Sequence, residues 1–361
     1  MPLVEQWEVV MKQKNNFFNF PLNEIEKILE LNSLKKSYAT VIFKSIYQKN
    51  ITSFLKIPEI KKENAKIINQ IFTLKEWIKI KKSFVEKENG KITSIKFLVQ
   101  IEENCFIENV LMNFNYGWSL CVSTQIGCNM GCKFCASTLN KKKRNLETFE
   151  LVQQVLLVNK YLQKKFNQTI KNIVIMGIGE PFDNYENVIN FLSIITSHFS
   201  ISIPESKITV STCGICDKIE KFATDASKIN LAISFHAPND KIRNTLMPIN
   251  QKYNMQKLIK SIKKYQLLNK NKPVTIEYLL LKGINDDISN AKQLLTKLKG
   301  INFYINLISY NKNKEHNFLP SDNIELFKKF FEDNSIKVTI RLKRGKKINA
   351  SCGQLRNKYE L

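Results

Sequence analysis

"GCNMGCKFCAS", Gly127 to Ser137, places three cysteines at 128, 132 and 135, with the aromatic Phe134 just before the last. The spacing is Cys-x3-Cys-x2-Cys, and three is an odd number for a metal site. A structural zinc takes four closed ligands, and a cubane of four irons and four sulfides has four corners. Three thiolates therefore leave one iron of a [4Fe-4S] cluster open, as is wanted where a small molecule must chelate it. The competing reading is a zinc site completed by Cys121, seven residues upstream, although the paired Cys-x2-Cys knuckles of zinc ribbons are absent.

Downstream of Tyr116 the chain alternates strand and helix. Candidate strands are "SLCVST", "NIVIMG", "KITVST", "NLAISF", "VTIEYLLL", "INFYINL" and "KVTIR", with helical stretches such as "FELVQQVLLVNKYL" and "SDNIELFKKFFED" between them. Such repetition predicts an α/β fold with a parallel sheet, open or curled into a barrel, with ligands at the carboxyl ends of the strands. The cysteine triplet falls at such an end. Upstream, "LNEIEKILEL" puts Leu22, Ile25, Ile28 and Leu29 on one helical face. From Trp77 to Phe114 the pattern becomes an antiparallel meander turning at Asn89-Gly90 and Glu103-Asn104. The expected division is 1–114 accessory, 115–343 core and 344–361 C-terminal segment.

The 361 residues are 43% hydrophobic and carry a net charge of +24, spread along the chain. That excess points to a polyanionic partner, nucleic acid ahead of membrane; a bias toward Lys, Asn and Ile codons is the bland alternative. No apolar run approaches the ~20 residues of a spanning helix, and the first residues lack the apolar core of a signal peptide. A cytoplasmic location is expected, with the eight cysteines as thiols, ligands or catalysts rather than a disulfide framework. Basic runs at Lys141–Arg144 and at Arg341, Lys343, Arg344, Lys346 and Lys347 are placed to flank a site and meet phosphates.

After the strand "NIVIM", the turn "MGIGEP" (Met176–Pro181) offers glycines for close backbone approach and Glu180 for an ammonium group. "VSTCG" and "ISFHAPND" add Ser211, Ser234 and His236 at strand ends. The triplet, with its aromatic and its position after the first strand of a βα series, resembles the signature of the radical-SAM superfamily, whose open iron chelates S-adenosylmethionine (SAM). From Glu108 to Leu355 the chain further resembles the RlmN/Cfr family of radical-SAM methyltransferases, which act on an adenine of ribosomal RNA. The match is carried by "CVSTQIGCNMGCKFCAS", "MGIGEPFDN", "ITVSTCG", "AISFHAPND", "MPIN", "TIEYLLLKGIND", "INLISYN" and "ASCGQL", in family order and spacing.

The resemblance implies a partial (βα)6 TIM-like barrel with a small helical and β-meander N-terminal region. It also implies a [4Fe-4S] cluster on Cys128, Cys132 and Cys135, with SAM contacted by Gly179, Glu180, Ser211, Ser234, Phe235, His236 and Asn311. Cys352 is then the S-methylcysteine intermediate, Cys121 its transient disulfide partner and Glu108 the proton acceptor. Implied substrates are carbon 2 of an adenine in 23S rRNA and of adenine 37 in tRNA. The base must be extruded to be reached, and the N-terminal helices and meander are candidates for reading RNA shape. An electron-donor protein such as flavodoxin or ferredoxin is expected, and a monomer. Carbon 8 of the same ribosomal adenine is the alternative within the family, and a zinc-stabilised, non-catalytic RNA-binding protein the alternative outside it. Lys346, Lys347 and Asn349 stand where the family usually carries acidic residues. Cys213 and Cys216 form a Cys-x2-Cys pair inside "STCGIC" that reads as two reduced thiols ahead of a second metal site, since no partner pair accompanies it.

Overall fold

The computed structural model describes residues 14–312, 317–342, 344–351 and 353–355. Cys352 and Lys343, and the side chain of Lys346, lie outside the described residues. The N-terminal region folds as short helices, α1 (Leu22–Leu31), α2 (Tyr38–Phe43) and α3 (Lys62–Ile71). On α1 the predicted face is the buried one: Ile25, Ile28 and Leu29 are covered and Leu22 packs at its edge. Helices this short are marginal alone. They are held by an aromatic knot in which Phe18, Phe43, Tyr47, Phe54 and Phe72 surround Phe17 at centroid distances of 5.5 to 6.0 Å.

The meander follows as β1 (Lys79–Glu88), β2 (Lys91–Glu102) and β3 (Cys105–Phe114). Both turn residues of the first hairpin, Asn89 and Gly90, have positive φ (49° and 76°), as a two-residue primed turn requires. All seven strands expected beyond Tyr116 form: β4 (Gly117–Cys121), β5 (Ile170–Ile175), β6 (Ile208–Thr212), β7 (Asn230–Ser234), β8 (Val274–Leu280), β9 (Phe303–Ser309) and β10 (Val338–Ile340). Helices α4 (Thr148–Phe166), α5 (Tyr185–Thr196) and α6 (Cys216–Asp225) follow β4, β5 and β6. Two, α7 (Asp240–Leu246) and α8 (Met255–Leu268), follow β7. Finally α9 (Ile288–Lys297) and α10 (Ile324–Asp333) follow β8 and β9.

The strands form one sheet in the order β10-β9-β8-β7-β6-β5-β4-β3-β2-β1. It is parallel from β4 to β10 and antiparallel from β1 to β4. The parallel part is a partial barrel clothed by helices, so its strands read as near-continuous apolar runs. β3 is hydrogen-bonded to β4, and the sheet runs unbroken across residue 115, with Val110 opposite Cys121.

Beyond β10 the chain returns to the meander. The buried carboxylate of Glu86 on β1 accepts from the backbone N–H groups of Gly345 (2.6 Å) and Lys347 (2.9 Å) and from Ser94 Oγ (2.7 Å). Burial pushes this carboxyl up, but the bonds from Ser94, Lys347 and Gly345 outweigh it and hold it below the usual range. A loop with no regular partner strand thus gains the backbone acceptors it needs from one acidic side chain.

Candidate active site

The loop between β4 and α4 carries the three cysteines and is stitched to its neighbours through the backbone. Thr124 N–H donates to Ile178 O (2.8 Å), Lys143 N–H to Ile126 O (2.7 Å) and Cys128 N–H to Asn140 O (3.1 Å). Gly127, at φ 79°, lies so close to the Lys141 carbonyl that a Cβ would overlap it. Cys128, Cys132 and Cys135 line one pocket at the carboxyl ends of the strands, together with Gly179, Glu180, Ser211, Ser234 and His236. Residues chosen from separate stretches of sequence are brought to one cavity.

Burial pushes the Cys128 thiol up to about 12 and the Cys132 thiol well above the ordinary range, and neighbouring thiolates raise both further. Such thiols become ligands when metal ions take the place of their protons. Among the described residues no three of His, Cys, Asp and Glu converge tightly enough to grip a single ion. The three thiols line one pocket and lie close enough to feel one another's charge, so together they can serve a multi-iron cluster.

In the same lining, Gly179 has φ 104°, and a Cβ there would sit 2.6 Å from Gln125 Cβ. Only glycine fits. The Glu180 carboxylate accepts from Phe182 N–H (3.0 Å), Thr212 Oγ1 (2.7 Å) and Cys213 N–H (2.8 Å). Burial raises its affinity for a proton despite those donors. Glu180 lines the pocket, where its carboxylate can meet an ammonium group. His236 is buried and its Nδ1 accepts from Leu279 N–H at 3.1 Å, which leaves the proton of the neutral ring on Nε2. Burial depresses its pKa to about 4. Ser211 Oγ donates to Glu277 (2.7 Å), and Glu277 is paired with Arg341. Phe235 is wholly buried and gives its backbone N–H to Glu277 O (3.0 Å). Asn311 is half-buried and stands outside the pocket lining, next to Tyr310, which belongs to it.

Cys121 closes β4 and is buried in an apolar cluster with Val110, Ile178, Ala350 and Leu355. The C-terminal segment is therefore laid against it on both sides of position 352. Gly353 lines the pocket and its carbonyl accepts from Ala136 N–H (2.8 Å), while Leu355 O accepts from Ser137 Oγ (2.8 Å). Glu108 on β3 is buried and its Oε1 lies 2.9 Å from Lys96 Nζ on β2. Lys96, Glu86, Glu277 and the wholly buried Arg243 escaped the reading of the sequence. A signal for one of them was present. Lys96 is the single charge between Ile92 and Ile101, and Glu108 the single charge in β3, and a charge in an apolar strand needs a partner.

The basic runs divide on inspection. Lys142 pairs with Asp183 (2.6 Å), and Arg144 with Glu102 and the buried Glu150. Arg341 pairs with Glu277 and Arg344 with Glu88. These cations tether loops, and exposure passes to Lys141, Lys143 and Lys347.

Residues 122–295 match the model of the Radical SAM superfamily. The chain is 45% identical over 344 residues to a "Probable dual-specificity RNA methyltransferase RlmN" of Malacoplasma penetrans, covering 95% of this chain and 96% of that protein. A protein of the same name from Spiroplasma citri is 43% identical over 345 residues, covering 96% and 98%. Among solved structures, a radical SAM methyltransferase from Sphaerobacter thermophilus superposes with a TM-score of 0.85 at 32% identity, covering 95% of this chain and 99% of that one.

Proposed function

The chain belongs to the RlmN family of radical SAM RNA methyltransferases, and from that membership we propose that it methylates carbon 2 of an adenine in the peptidyl transferase centre of 23S rRNA and of adenine 37 in tRNA. It is a SAM-dependent enzyme with a [4Fe-4S] cluster. When bound, cluster and SAM supply a 5′-deoxyadenosyl radical able to take hydrogen from a methyl group. Cys128, Cys132 and Cys135 would be the cluster's three thiolate ligands, one fewer than its corners, which would leave it able to bind SAM. Gly179, Glu180, Ser211, Ser234, His236, the backbone of Phe235 and Asn311 surround it. Cys352 carries the methyl group, Glu108 receives the proton displaced from carbon 2, and Cys121 frees the product by forming a disulfide with Cys352.

One observation carries this reading: Ala350 and Leu355, on either side of Cys352, pack in one apolar cluster with Cys121, and Gly353 between them lines the pocket of the three thiols. The test is mass spectrometry of nuclease-digested ribosomal RNA after anaerobic incubation with reconstituted protein, SAM and a reductant. 2-Methyladenosine is the expected product. 8-Methyladenosine would transfer the chain to the resistance branch, and neither product would refute the substrate. Run with reduced flavodoxin or ferredoxin in place of the chemical reductant, the same assay identifies the donor. The setting is the cytoplasm; among the described residues no helix is long and apolar enough to cross a membrane.

RNA is held, in this reading, by exposed lysines beside the mouth and by the N-terminal helices. Lys141→Glu with Lys143→Glu is expected to weaken RNA binding several-fold and to flatten its salt dependence, by roughly one unit of log–log slope per lost phosphate contact. Lys142→Gln is expected to do neither, because its partner is Asp183. RNA affinity unchanged in a chain lacking residues 1–71 would remove the helices from this role.

A further inference from the structure

Lys96 is buried in the middle of β2, and its ammonium reaches two groups that belong to different parts of the site. Nζ lies 2.9 Å from Glu108 Oε1 and 3.3 Å from the carbonyl oxygen of Asn349, three residues before Cys352. The ring of Phe84 covers it at 5.1 Å. The two charged side chains are 8% and 2% exposed, so neither is stabilised by water.

A proton acceptor has to be ionised before it can act, and burial drives a carboxyl toward its neutral form. An ammonium in contact reverses that drive. The bond to Asn349 O is the longer of the two, and the loop it touches has other anchors. Glu86 takes the N–H groups of Gly345 and Lys347, Ser351 Oγ donates to Arg344 O (2.7 Å), and Gly353 O is held by Ala136 N–H. Removing Lys96 therefore costs the loop one bond among several, whereas it takes from Glu108 the counter-charge at 2.9 Å.

We propose that Lys96 is a positioning residue that keeps Glu108 ionised and aimed at the segment carrying Cys352, so that its loss stalls removal of the proton from carbon 2 and leaves the earlier steps intact. The proposal rests on the reading of Glu108 as proton acceptor. In the step concerned the C2–H bond of the protein–RNA adduct breaks, its electron pair stays with the ring, and the proton passes to the Glu108 carboxylate, which becomes a neutral acid.

The test follows three readouts in Lys96→Met, Lys96→Arg, Glu108→Gln and the Lys96→Met/Glu108→Gln double variant. They are methyl on Cys352 by intact-protein mass, covalent protein–RNA adduct on a denaturing gel, and methyladenosine in digested RNA. Lys96→Met is expected to methylate Cys352 as wild type does, accumulate adduct, and form product roughly 100-fold more slowly, the scale of lost acid–base catalysis. Lys96→Arg, which keeps the charge, is expected to recover most of the rate. The double variant removes both charges of the pair and is expected to be no worse than Glu108→Gln alone, the non-additivity of residues that act through one another. Wild-type turnover in Lys96→Met, or loss of Cys352 methylation in proportion to product, would overturn the proposal. Glu108→Gln forming product normally would overturn the proton-acceptor reading itself, and the proposal with it, and is told apart by that variant alone.

Discussion

A Cys352→Ala variant is expected to fill its cluster normally and leave RNA unmethylated, whereas Cys121→Ala is expected to methylate Cys352, attach itself to RNA and stop. The contrast follows from the proposed target and the proposed roles of the two cysteines. Carbon 2 of adenine is not nucleophilic, so a methyl group cannot move to it from a sulfonium by polar transfer, and without a carrier thiol there is nothing to deliver. Cluster assembly is untouched because Cys128, Cys132 and Cys135 all remain. Removing Cys121 leaves the methylated carrier and the proton acceptor in place. The carbon–sulfur bond joining enzyme to RNA then breaks only if a second thiolate attacks the Cys352 sulfur. Cys121 is buried against Ala350 and Leu355, so no other described cysteine shares that apolar cluster with the flanks of position 352. Iron and sulfide content, methyladenosine after nuclease digestion and a denaturing gel of protein with labelled RNA separate the cases. Methylated RNA from Cys352→Ala would remove the carrier role. Free product released over many turnovers by Cys121→Ala would remove the disulfide.

What was legible beforehand was local. The cysteine triplet occupies eight consecutive positions, 128–135, and its chemistry is written in their spacing. The strands from β4 to β10 are apolar runs between helical stretches, and a parallel sheet is the one way to bury them. The turns at Asn89-Gly90 and Asn104 need positive φ, which Asn and Gly supply. What stayed hidden depends on the fold's long-range returns. Glu86 meets Gly345 across some 260 residues of chain (a separation of 259), and no periodicity encodes that meeting. The basic run Lys141–Arg144 looked like a phosphate-binding face, but half of it faces inward, where Asp183, Glu102 and Glu150 await it. Charge in a sequence says that a partner exists; only the packing says whether the partner is the solvent, another side chain or RNA.

Arg243 carries that lesson furthest, and its replacement is expected to have the largest effect on stability. It is wholly buried on α7 and, among the described residues, bonded to neutral oxygens: Cys213 O (2.7 Å), Asn250 Oδ1 (2.8 Å), Phe235 O (3.2 Å) and Ser234 O (3.2 Å). One guanidinium thereby ties the ends of β6 and β7 to the "MPIN" segment. That segment and Leu246 just before it in turn touch the cysteine loop, where Lys133 N–H donates to Leu246 O (2.9 Å) and Gly131 packs on Pro248. Arg243→Met keeps the apolar stem but strands two short-bonded acceptors, each costing about 1–3 kcal/mol when left unsatisfied in the interior. The total of roughly 2–6 kcal/mol corresponds to a drop in Tm of about 3–8 °C in a chain of this size. Arg243→Lys, with three donors on a point charge, cannot span four acceptors arranged for a planar fork and is expected to fall between the two. Because the same bonds hold the wall behind Ser234 and Cys213, iron content after reconstitution is expected to fall along with Tm. Calorimetry and iron analysis of the three proteins check both. A Tm equal to wild type in Arg243→Met would mean that water or rearranged side chains satisfy those oxygens, and that the guanidinium is held there for its charge beside the thiolates rather than for the bonds it makes.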